Sequence, residues 1–101
     1  MNSVTVAGSL QSEVGCSDDW LPDCAASHLT FTATNGGVWE GTFEIPAGNY
    51  EYKVAIDDSW AVNYGAGGAR DGANITLSLP TATNVTFVWD QVSHIVTHTT
   101  N

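Results

Sequence analysis

Apolar and polar residues alternate along much of this chain with a period of two, the signature of half-buried strands. In "VWEGTFEI", Trp39, Gly41, Phe43 and Ile45 share one face, and Glu40, Thr42 and Glu44 share the other. In "YEYKVAI", Tyr50, Tyr52, Val54 and Ile56 oppose Glu51, Lys53 and Ala55. "ITLSL" aligns Ile75, Leu77 and Leu79, and "VTFVW" aligns Val85, Phe87 and Trp89. Val4 with Val6 predicts an early strand, Leu29 with Phe31 another, and "HIVTH" at 94–98 a last one. No segment carries helical periodicity with caps.

Turn residues punctuate these runs. Asn35-Gly36-Gly37 precedes one strand. Pro46-Ala47-Gly48-Asn49 reads as a tight hairpin between two others. Asp57-Asp58-Ser59 ends a strand and puts Trp60 in a loop. "GAGGARDGAN" is a glycine-rich loop over 65–74, and Asp90-Gln91-Val92-Ser93 turns a final hairpin. About seven to eight short strands at regular spacing predict an all-β fold, an immunoglobulin-like antiparallel β-sandwich. One domain over 1–101 is expected, with no repeat or linker.

Composition narrows the partners. Hydrophobic residues make up 43% of the 101 residues, enough for a core. Eleven acidic residues against two basic ones give a net charge of −9. Nucleic-acid binding needs clustered Lys and Arg, and anionic lipid would repel this surface, so neither partner is expected. No run approaches the roughly 20 apolar residues of a membrane-spanning helix. Met1-Asn2-Ser3 leads straight into Val4-Thr5-Val6, without a signal-peptide pattern, and reads as an excised or mature domain with an added start methionine. Only 13% of residues are charged, so Ser, Thr, Asn and Gly dominate the surface, as in secreted proteins acting on insoluble substrates.

Cys16 and Cys24 are eight apart. Free buried thiols and a metal site with Asp18, Asp19, Asp23 and His28 are alternatives. A disulfide closing a small loop is the better reading, implies an oxidising, extracellular compartment, and would stiffen the loop that carries Trp20. No metal or other cofactor is expected; a calcium site in an Asp-rich turn stays an alternative, without EF-hand spacing to mark it.

Catalysis needs a positioned acid and base, or a nucleophile with its base. The acids here fall in turns or on exposed strand faces, and no serine pairs with a histidine in a motif. His94 and His98 read as strand surface. The aromatics carry more information. Trp39, Trp89, Phe31, Phe43, Phe87, Tyr50 and Tyr52 are in phase with core residues, so packing is the expected role. Trp20 and Trp60 lie outside the alternating runs, next to Asp-rich turns. A pyranose has a flat face of C–H groups, and an indole offers a matching face with a negative quadrupole. Polar groups at the rim then bond the hydroxyls. Lys53 lies on the face away from the core just before Trp60, and Asn63, Tyr64 and Asn74 are further polar candidates.

These stretches together are familiar. "GNYEYKVAIDDSW", the W-x-x-N-Y-G pattern at 60–65 and "RDGANI" at 70–75 resemble the starch-binding accessory modules of secreted bacterial pullulanases and α-amylases. The outline is similar to carbohydrate-binding module family 48, including the glycogen-binding domain of the AMP-activated kinase β subunit. The resemblance implies a β-sandwich that binds α-1,4-glucans without catalysis. It implies two tryptophans stacking on glucose, with a lysine and an asparagine on the hydroxyls. Trp60, Lys53 and Asn74 match by position, and Trp20 is the candidate for the second tryptophan. The chain departs from the family by a cysteine-closed insertion before Trp20. If that insertion displaces Trp20, Tyr64 becomes the second platform. The implied partners are starch, glycogen or malto-oligosaccharides, with a parent amylolytic enzyme in cis, for a monomeric, secreted domain.

Three other readings compete. A structural spacer in a multidomain glycoside hydrolase would pack Trp60 against a neighbour and bind no sugar. A secreted amylase inhibitor would set Arg or Lys beside aromatics, but Arg70 lies in "GARDG" without an aromatic neighbour. An adhesion or cell-wall module is the third.

Overall fold

Eight strands form in the computed structural model, which describes residues 1–101. They are β1 (Val4–Gly8), β2 (Thr30–Thr32), β3 (Val38–Ile45), β4 (Gly48–Ile56), β5 (Ser59–Tyr64), β6 (Ile75–Leu79), β7 (Thr83–Asp90) and β8 (Val96–Thr100). All pairings are antiparallel. The first sheet centres on β4, with β1 along one edge and β5 and β6 sharing the other. The second sheet has the order β2-β3-β7-β8. The expected antiparallel β-sandwich is therefore the observed fold.

Alternation decides which side chains meet between the sheets. Val4 and Val6, Tyr52 and Val54, and Val85, Phe87 and Trp89 are all fully buried. Tyr52 packs edge-on against Phe87, with ring centroids 5.0 Å apart. Its hydroxyl lies 2.7 Å from Nδ1 of His98. Burial pushes the Tyr52 phenol far above the usual tyrosine range and holds His98 below the usual histidine range.

Several expectations change here. Pro46-Ala47 does not close a hairpin, because β3 and β4 belong to different sheets. The link carries the chain across the sandwich, and Tyr50 donates its hydroxyl to Pro46 O at 2.8 Å. Phe31 and Trp39 point inward, but Trp39 is only half-buried against the edge of the core and Phe31 lies outside it. Phe31 stays 47% exposed on β2, a three-residue edge strand paired only with β3. It packs edge-on to half-buried Trp39 at 5.4 Å, and Trp39 donates Nε1–H to Gln91. The last strand starts at Val96, so His94 falls in the turn, with a left-handed φ of 67°. Neither histidine is simple strand surface: His94 stacks on Tyr64, and His98 is half-buried against Tyr52.

Trp60 is not in a loop. Asp57 and Asp58 take φ of 56° and 58°, which makes a two-residue turn of the primed type favoured in hairpins. The chain re-enters the first sheet at Ser59, opposite Ile56. The next pairing is Ala55 with Asn63, so residues 60–62 bulge out of the ladder.

Candidate functional site

Along β4, the row Asn49, Glu51, Lys53 and Ala55 points away from the core. This outer face of the first sheet is where the two candidate tryptophans meet. Their ring centroids are 6.5 Å apart and the planes are inclined by 38°. Both rings are half-buried, leaving surface open to a ligand. Asn74 donates its amide to Glu51 Oε1 at 2.9 Å, which joins it to the same row. Lys53 pairs across to Ala7 of β1 and is half-buried on that row.

The segment holding Trp20 has little regular structure of its own. Trp20 has φ of 59°, a left-handed conformation that costs a bulky residue roughly 1–2 kcal/mol. Its backbone N–H donates to Gly8 O at 3.2 Å. Gly8 must be glycine, since a Cβ there would stand 2.1 Å from Glu51 O. Gln11 supplies the main clamp. Its fully buried amide donates to Leu21 O at 2.7 Å and Ser27 Oγ at 3.1 Å. Its carbonyl accepts from Leu21 N at 2.7 Å and Gly8 N at 3.2 Å. The Cys16–Cys24 disulfide forms, with Cα atoms 6.0 Å apart, and closes the loop around Trp20.

Trp60 is held differently. Asn63 donates its amide to Trp60 O and to Asp71 Oδ1, both at 2.9 Å, tying down the bulge. Asp71 N–H donates back to Asn63 O at 3.0 Å. Oδ1 of Asn63 is buried without a partner. The glycine-rich segment folds back on the end of β5 through a bridge between Tyr64 and Arg70. Gly65 allows this close approach, because a Cβ there would meet Ala73 O at 2.3 Å. At the hairpin tip, Asp57 accepts the backbone N–H groups of Asn2 and Ser3. The bond from Asn2, foremost, holds its carboxyl below the usual carboxylate range.

Four of the six sequence candidates thus share one face: Trp20, Trp60, Lys53 and Asn74. The other two do not stand free on it. Asn63 spends both amide hydrogens inside the protein. Tyr64 pairs with Val54 on the inward side of β5, and its ring lies 4.3 Å from His94 and 5.7 Å from Trp89. The cysteine-closed insertion therefore leaves Trp20 beside Trp60, with Tyr64 on the opposite side. Sequence reasoning missed Gln11, whose "LQSE" context carries no motif, and the outward Asn49, Glu51 and Thr76, which read as ordinary solvent-facing strand residues.

Fold and face define a class: an antiparallel β-sandwich domain with a tryptophan pair on one outer sheet. The chain belongs to the pullulanase X25 domain family, whose model matches residues 3–96. It is 39% identical over 89 residues to an amylopullulanase of Thermoanaerobacter thermohydrosulfuricus, covering 88% of this chain and 6% of that one. An amylopullulanase of Thermoanaerobacterium saccharolyticum is 37% identical over 88% of this chain and 7% of its own length. The pullulanase from Bacillus acidopullulyticus superposes with a TM-score of 0.80 at 28% identity, over 95% of this chain and 11% of that one. The chain thus corresponds to a small part of much larger enzymes.

Proposed function

We propose that this chain is a non-catalytic α-glucan-binding domain that holds a secreted amylolytic enzyme on starch or related glucans. The observation that carries the proposal is the meeting of Trp20 and Trp60, 6.5 Å apart on the outer face that also bears Lys53 and Asn74. Two indoles inclined to each other suit the curved path of an α-1,4-glucan better than a flat chain. Lys53 and the Asn74–Glu51 pair supply donors and acceptors for hydroxyls. A neutral sugar tolerates a domain of net charge −9. The relatives' names, pullulanase and amylopullulanase, support a parent enzyme in cis, and the disulfide supports an extracellular setting. The domain acts as a monomer in this reading. One stacked platform must offset the entropy lost on association, so affinity in the micromolar to millimolar range is expected, about −4 to −8 kcal/mol.

Calorimetric titration with maltoheptaose or β-cyclodextrin, with a cello-oligosaccharide as control, tests the proposal. Saturable heat with the α-glucan alone, largely lost in Trp60→Ala, is the expected result. No heat at millimolar ligand on a folded sample would favour a spacer role. Exposed Met1 and Phe31, which line a shallow hollow with half-buried Trp39, are the observation on the side of that rival, as a surface for a neighbouring domain.

A further inference from the structure

Beside the tryptophan pair, the outer face of the first sheet carries a groove of about 330 Å³. Ser9, Trp20, Asn49, Tyr50, Glu51 and Thr76 line it. Its size is at the lower end for small-molecule sites. It is continuous with the pair, because Trp20 belongs to both: it stands 6.5 Å from Trp60 and also forms the wall of the groove. The floor is polar and outward-facing. Asn49 and Glu51 alternate along β4, and Thr76 sits directly across from Glu51 on β6. Glu51 has one oxygen on Asn74 and its other oxygen without a protein partner. Ser9 is held at the rim, where its hydroxyl accepts from Glu51 N at 3.0 Å. An apolar wall with amide, carboxylate and hydroxyl groups on the floor is the chemistry that takes a pyranose ring: C–H face on the indole, hydroxyls below.

We propose that this groove is a second glucosyl subsite, so that a glucan chain runs from the Trp20–Trp60 pair past Trp20 onto Asn49, Glu51 and Thr76. The inference rests on the α-glucan-binding reading. It adds that recognition extends along the chain beyond the stacked units. Because the groove is open at the surface, a chain can pass through it, and internal segments of a polysaccharide are accepted as well as ends.

The test is the ratio of affinities for maltoheptaose and maltotriose, by calorimetry on the full chain. In the unmodified protein the longer sugar should bind about fivefold or more tightly, the worth of one or two added hydrogen bonds. Thr76→Arg fills the groove from an exposed strand position and should pull that ratio towards one. Asn49→Ala removes a floor contact without adding bulk and should lower the ratio in the same direction, which covers a failure of Thr76→Arg to fold. A ratio unchanged in the folded variants overturns the subsite while leaving glucan binding in place. Absence of binding to either sugar in the unmodified protein overturns both readings together.

Discussion

Trp20 sits on a segment with almost no regular structure, whereas Trp60 sits within a strand of the first sheet. The segment needs external fixing, and it has four fixtures: a disulfide, the bond from Trp20 N to Gly8 O, the bond from Ser12 N to Asp19 Oδ1, and the four hydrogen bonds of Gln11. The strand already has a ladder on either side of its bulge, and two short side-chain bonds secure the three extra residues, from Asn63 to Trp60 O and from Ala61 N to Ser59 Oγ. In both cases a buried amide bonds the backbone at or next to a tryptophan. A side chain that both donates and accepts can stand in for a missing strand partner. What differs is how much each amide must do. Gln11 has every polar valence filled, while Asn63 leaves its buried carbonyl oxygen unpaired.

The strongest way to break this contrast is to remove both amides in turn. Gln11→Ala strands four buried or part-buried partners, and each unsatisfied group costs about 1–3 kcal/mol, so a loss of at least about 3 kcal/mol is expected. Asn63→Ala removes two bonds but also relieves a buried, unpaired oxygen, so about 1 kcal/mol is expected. Urea unfolding of both variants reads the difference directly. Equal losses would mean that the Trp20 segment is held mainly by packing and the disulfide.

The contrast also explains what could be read in the chain beforehand. Strands β3, β4, β6 and β7 were legible because each has one face in the core and one towards solvent, which writes period two into the residues. Strand β5 was not, because a three-residue bulge breaks that period and two aspartates at its start look like a longer turn. The bulge also separates Trp60 from Tyr64. Four apart in a regular strand they would share a face; here Tyr64 turns inward to Trp89. Pro46-Ala47 is short enough to resemble a hairpin, and nothing local tells a hairpin from a crossing between sheets. Phe31 and Trp39 have the phase of core residues, but phase does not reveal that β2 is an edge strand. Four of the candidate site residues were readable from motif and face. Gln11 was not, because its partners lie at Gly8, Leu21 and Ser27, contacts that only the folded chain creates.

Reduction of the disulfide probes the Trp20 side alone. Closing a loop of this separation contributes about 2 kcal/mol through the unfolded state. With the clamp of Gln11 intact, reduction should lower stability by about that amount. Glucan affinity should fall only slightly, because Gln11 still fixes Leu21 next to Trp20. Thermal unfolding and sugar titration, each with and without reductant, measure the two effects separately. A collapse of binding on reduction would assign the placement of Trp20 to the disulfide instead of Gln11.

The smallest effect lies where the two sides touch. His28, which follows the Trp20 segment, meets Asp58 at the tip of the Trp60 hairpin, with Nε2 and Oδ1 2.7 Å apart. The pair is largely at the surface, with side chains 30% and 46% exposed, and such pairs contribute about 0.2–1 kcal/mol. His28→Ala should therefore cost less than about 1 kcal/mol. Gln11 and Asn63 share no hydrogen-bond partner, so Gln11→Ala and Asn63→Ala should add in the double variant to within about 0.5 kcal/mol. Additivity would mean that the tryptophans are held by two energetically independent devices. A coupling above about 1 kcal/mol, vanishing in the His28→Ala background, would make the hairpin tip the joint through which one side positions the other.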